Sequence, residues 1–78
     1  MTPDHAKALD LLSTGQWQAA HDIVEHEGDT TSAWIHALVH RIEGDDWNAG
    51  YWYRRAGRAP FDGTVDQEIA AIRSDLAD

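Results

Sequence analysis

The sequence predicts an all-α single domain over residues 1–78, built as two helical hairpins followed by a C-terminal helix that caps them. Three observations predict it. Apolar residues recur at steps of three and four along nearly the whole chain, and no stretch shows the sustained alternation of a strand. Glycine, proline and short polar capping residues interrupt these runs at short intervals. The composition also favours close-packed helices. Leu, Ile, Val and Phe number only 14 of 78 residues, a share that suits disorder in a chain of net charge −8. Four Trp, two Tyr and twelve Ala offset this, because the rings bury large areas and the alanines let helices approach closely.

Each element has its own signals. Thr2-Pro3-Asp4 opens the first helix, with Thr2 as cap, Pro3 at the first helical position and Asp4 at the positive end of the dipole. Ala6, Ala8, Leu9, Leu11 and Leu12 form its apolar face, and Thr14-Gly15 ends it. The second helix is expected from Gln16 to about Glu27, with Trp17, Ala20, Ile23 and Val24 inward and Gly28 as its stop. Asp29-Thr30-Thr31-Ser32 offers caps for a third helix, in which Trp34, Ile35, Leu38, Val39 and Ile42 recur at helical steps up to Gly44. Asp45-Asp46 opens a fourth helix, Trp47 to about Arg58. Its rings Trp47, Tyr51, Trp52 and Tyr53 point several ways around the axis, which predicts a central position. Ala59-Pro60-Phe61-Asp62-Gly63 is a loop, since Pro60 prevents the helix from continuing. Thr64-Val65-Asp66-Gln67 fits a capping box, and Val65, Ile69, Ile72 and Leu76 make the stripe of a fifth helix, with Asp66, Glu68, Arg73 and Asp75 facing outward.

The first two helices echo the next two. Leu12–Ala20 parallels Ile42–Gly50 with one inserted residue, which puts Trp17 and Trp47 at equivalent places. In each unit a helix ends at Gly, turns, and re-enters with an aromatic followed three residues later by Ala or Gly. This predicts Trp17 and Trp47 wedged between paired helices, with the small residue permitting a close crossing. Gly44, Trp47, Gly50, Tyr53 and Ala56 at this spacing resemble the tetratricopeptide and Sel1-like repeats, and Ala49–Ala56 is similar to the Sel1 stretch in which Trp-Tyr-Arg precedes Ala. The first unit departs from that pattern at Thr14 and His26. A longer block also resembles a family of small bacterial proteins: Ala33-Trp34-Ile35-His36-Ala37, His40-Arg41, Glu43-Gly44-Asp45, Asn48-Ala49 and Tyr51–Arg58. That likeness brings no activity or ligand with it. The repeat resemblance implies a non-enzymatic protein-interaction module.

Charge and composition exclude several classes. Fourteen Asp and Glu against six Lys and Arg argue against a general nucleic-acid or anionic-membrane binder, both of which need a positive field. No cysteine is present, so thiolate metal sites and cysteine nucleophiles are excluded. No apolar run approaches the roughly 20 residues of a membrane span, and the start lacks the pattern of a secretory signal, so a soluble, cytoplasmic protein is expected. No Ser-His-Asp order, glycine-rich phosphate loop or cofactor motif appears, which points away from an enzyme.

Two constellations carry chemistry. His36 and His40, four apart on the third helix, place two imidazoles side by side for a divalent metal, with Glu43 three residues on as a third ligand. They lie roughly opposite the Trp34, Ile35, Leu38, Ile42 stripe, and the alternative is that they pack beneath another helix. His5, His21 and His26 have no such spacing and are expected at the surface. Tyr51, Trp52, Arg54, Arg55 and Arg58 form the densest patch, able to stack on and pair with a phosphate, a carboxylate or an acidic peptide. The alternative is that the rings are core and the arginines complement the helix dipole. With Arg41 they make a basic island. The acidic first half, Asp4, Asp10, Asp22, Glu25, Glu27 and Asp29, could meet it in a second copy of the chain. The leading expectation is an interaction module that binds a protein partner or itself. Metal binding at His36 and His40 and small-anion binding at the arginine patch are the alternatives.

Overall fold

The computed structural model of the chain describes residues 4–77, and they form five helices with no strand among the described residues. These are α1 His5–Ser13, α2 Trp17–Val24, α3 Thr30–Glu43, α4 Asp46–Arg55 and α5 Val65–Ala77. The expected Thr2 cap and Pro3 start lie outside the described residues. Asp4 caps α1 itself, its carboxylate accepting from the Lys7 N–H at 3.0 Å. Asp29 and Asp45 do the same for α3 and α4, accepting from the amides of Ser32 and Asn48. The capping box of α5 is reciprocal: the Gln67 amide donates to Thr64 Oγ1 at 3.0 Å and the Thr64 amide to Gln67 Oε1 at 2.8 Å.

Two helices end earlier than expected. α2 stops at Val24, because no apolar residue beyond it would be buried by a further turn. α4 stops at Arg55 because Gly57, at φ 73°, makes a left-handed exit. The Arg58 amide then bonds the Tyr53 carbonyl and the Gly57 amide the Arg54 carbonyl.

The helices pair by short connections, α1 with α2 and α3 with α4, and α3 also lies against α1, α2 and α5. The central helix is therefore α3, not α4 as the ring distribution suggested. Every residue from Ser32 to Val39 is buried, so α3 is covered on both its apolar stripe and its histidine face. Leu9, Leu12, Val24, Ile35, Leu38 and Ile72 form the centre of one continuous core to which all five helices contribute.

The tryptophans are distributed differently from expectation. Trp17 is half-buried against the core, but Trp47 is 76% exposed. In a longer array a following hairpin would cover that position. Here α5 packs on α1 and α3 instead, so the outer face of α4 stays in water. The wedge between α3 and α4 is made by Trp52 and Tyr53. Trp34, 3% exposed, donates its indole N–H to Glu68 at 3.0 Å.

Glu68, expected outward, is fully buried. It also accepts from the Tyr53 hydroxyl at 2.6 Å and from Arg41 at 2.7 Å, while Arg41 donates a second bond to the Gly63 carbonyl. Burial and the Glu68 partner push the Tyr53 phenol above its ordinary pKa. The hydrogen bond to Glu68 raises that of Arg41. This network ties α3, α4 and α5 together around one carboxylate. No helix of the described residues is long and apolar enough to cross a membrane.

Candidate metal centre

The histidine face of α3 is largely covered: His36 is buried and His40 half-buried. It turns into the seam where α2 packs against α3, with α4 on the other flank. His36 is 4% exposed, and its ring stacks on Trp52 of α4 at 3.9 Å between centroids and 15° between planes. His40, one turn on, also stacks against His36, at 4.9 Å and 22°. His21 approaches from α2, its ring edge-on to His36 at 4.6 Å and 5.7 Å from that of His40. One ring nitrogen from each of the three lies within 4.8 Å of the others. Imidazoles around a Zn2+ ion at about 2.0–2.1 Å sit roughly 3.3 Å apart, so rotations moving each ring by about an ångström would close the set.

Sequence spacing found two of the three. His36 and His40 come together as their four-residue step requires. Glu43 joins them as the partner of His40 Nδ1 at 2.9 Å. An ionised carboxylate only accepts hydrogen bonds, so in the neutral ring Nδ1 carries the hydrogen and Nε2 keeps its lone pair. His21, expected at the surface, is the residue that sequence reasoning missed. It stands 3.2 Å from Glu25 Oε2 through Nδ1, one turn after Trp17 on the same face of α2, which was its one available signal. Carboxylates behind metal-bound imidazoles fix ring orientation and raise ligand basicity.

His36 has a different environment. Its Nδ1 is buried and has no hydrogen-bond partner among the described residues. Burial, and then the neighbouring imidazoles of His21 and His40, push its pKa down to about 4. The ring is therefore neutral at physiological pH, the form that ligates. Beside the cluster a cleft of about 330 Å3 opens, floored by His21 and His40 and walled by Trp17, Val39, Asp22 and Glu43.

The arginine patch divides. Tyr51, Trp52 and Arg55 stay together: Arg55 donates to the Tyr51 hydroxyl at 2.9 Å, and its guanidinium lies 5.2 Å from the Trp52 ring centroid. Arg54 is exposed on α4. Arg58 points elsewhere, its guanidinium over Trp34 at 3.4 Å. Arg41 is committed to Glu68. Of the other histidines, His26 is exposed as expected, whereas His5 is partly buried between Asp29 Oδ2 at 3.1 Å and Ser32 Oγ at 3.0 Å. Both contacts use the same nitrogen, Nε2. A Ser-His-Asp relay needs the two different ring nitrogens, so this trio caps α3 and is not a nucleophile with its base. No protein-family model, no curated protein and no solved structure matches the chain.

Proposed function

We propose that the protein binds a divalent transition-metal ion of the Zn2+ class through His21, His36 and His40. The observation that carries this reading is the convergence of three imidazole nitrogens from two helices within 4.8 Å, one ring being buried with an unpartnered nitrogen. A nitrogen-only donor set favours Zn2+, Cu2+ and Ni2+ over Mg2+ and Ca2+, which prefer oxygen. The carboxylates of Glu25 and Glu43 behind two of the rings, and the net charge of −8, favour a cation further. Calorimetric titration with Zn2+ is expected to give one site with an affinity near micromolar, about −8 kcal/mol. His21→Ala and His36→Ala should each abolish it, and Mg2+ should give no heat. Unchanged Zn2+ binding in both variants would overturn the reading.

A second reading, self-association through the outer face of α4, is favoured by one observation. Trp47 is 76% and Tyr51 37% exposed on successive turns, beside exposed Arg54 and Arg55. The acidic surface of α1 and α2, with Asp10 and Asp22, offers a complementary face in a second copy. Light scattering is expected to show a concentration-dependent dimer that Trp47→Ala and Arg55→Glu weaken. A strict monomer at all concentrations removes this reading.

A further inference from the structure

Gly50 is the one glycine inside a helix among the described residues. It sits midway along α4, where glycine weakens a helix relative to alanine. Nothing within the chain requires it: a Cβ at Gly50 would meet no atom nearer than Arg54 Nη1 at 3.8 Å. Gly63 is the contrast, since a Cβ there would strike the Phe61 ring at 2.7 Å. Gly63 therefore makes room for Phe61 to lie against its own loop, and Arg41 ties that loop to α3 through the Gly63 carbonyl. Pro60 and Phe61 of this loop, with Asp46, Ala49, Gly50 and Tyr53 of α4, line a cleft of about 220 Å3. The unexplained glycine thus faces a cavity, and bare backbone at such a place allows a ligand to approach closely.

We infer that this cleft binds a free α-amino acid with an apolar side chain. The lining is mainly apolar and aromatic, which suits the side chain. Arg41 also lines the cleft, but Glu68 already neutralises that guanidinium, so it does not set the charge of the site. The free charges stand on α4. Asp46 and Arg54 are exposed, and neither takes part in an ion pair among the described residues. Asp46, Gly50 and Arg54 follow one another at four-residue steps, so a carboxylate, bare backbone and a guanidinium form one row along the helix. A zwitterion lying over Gly50 pairs its ammonium with Asp46 and its carboxylate with Arg54, while its side chain enters the cleft. A simple carboxylic acid would leave Asp46 unpaired beside a second anion, and a simple amine would leave Arg54 without a partner. The volume is under the ~300–1,000 Å3 of sites for drug-sized molecules, which keeps the ligand small.

The test uses the full metal-free chain, with L-leucine and L-phenylalanine as probes, read by calorimetry and by amide chemical shifts. One site is expected, with shifts concentrated in α4 and around Pro60 and Phe61. Two leucine analogues separate the charges: 4-methylpentanoate lacks the ammonium and 3-methylbutylamine lacks the carboxylate. Each should bind at least about tenfold more weakly than leucine, and Asp46→Asn and Arg54→Gln should each weaken leucine by a similar factor. Gly50→Ala has two opposite effects. It should raise Tm of the free protein by roughly 4–8 °C, since alanine is the better helix former and its Cβ meets open space, and it should weaken leucine binding. Neither amino acid giving heat or amide shifts overturns the inference. Leucine and its two analogues binding equally overturns the zwitterion assignment, and Gly50→Ala binding leucine as wild type does overturns the role given to the bare backbone.

Discussion

His36 occupies a place that fits only a neutral imidazole. Trp52 and His40 stack against its ring, His21 meets it in an edge-to-face contact, Arg55 lies against Trp52, and Glu25 and Glu43 partner His21 and His40. Burial first, and then the two neighbouring imidazoles, lower its pKa from 6.5 to about 4. Between those values the unfolded metal-free chain binds a proton at this residue and the folded chain does not. The contribution to stability is complete above pH 6.5. It is lost as pH falls toward 4, by at most about 3 kcal/mol, the free-energy equivalent of that interval. Urea denaturation of wild type across this window should therefore show a steeper loss than the His36→Gln variant. Parallel profiles for the two proteins would contradict the assigned environment. An unpartnered buried nitrogen costs a further ~1–3 kcal/mol at any pH, a cost that a bound ion would remove.

Among the elements, Trp34 on α3 and Trp47 on α4 separate what local pattern can say from what packing decides. Trp34→Ala removes a buried ring, its bond to Glu68 and the platform under Arg58, and should cost about 3–5 kcal/mol. Trp47→Ala removes a ring that stands in water and should cost under about 0.5 kcal/mol. Equal losses by chemical denaturation would mean that the outer face of α4 is covered. The helices themselves were legible, because caps, glycines and three-and-four spacing are local: Asp29, Asp45 and the Thr64–Gln67 box all act where the pattern put them. Gly57 was equally local and was passed over. Its open surroundings and φ of 73° predict that Gly57→Ala costs about 1 kcal/mol through backbone strain alone. What covers a helix face is not local. Glu68 lies three residues after Val65 and four before Ile72, at the edge of the α5 stripe, and only the arrival of Arg41, Tyr53 and Trp34 makes its burial tolerable. The candidate site was two-thirds readable for the same reason: a four-residue step announces His36 and His40, but His21 joins them only through the α2–α3 packing.

At the scale of the whole molecule, the histidine cluster sits on the weakest joint of the fold. α2 is eight residues long, and no side chain at Gln16 caps it, in contrast to α1, α3 and α4. Isolated helices of that length are unstable, so α2 persists by packing on α1 and α3. An ion held by His21 on one side and by His36 and His40 on the other would staple that joint directly. Zn2+ at 100 times its dissociation constant adds about 2.7 kcal/mol to the folded state. In a domain of this size each kilocalorie moves Tm by about 4–8 °C, so a rise of at least roughly 10 °C is expected by scanning calorimetry. The gain should be local as well as global: amides of α2 should exchange more slowly with Zn2+ present, and more so than those of α5, which lies outside the joint. His21→Ala should lose both effects while keeping the metal-free Tm within a few degrees, since its ring is only half-buried. If Zn2+ raises Tm in that variant as much as in wild type, the ion is held elsewhere and α2 is not part of its site.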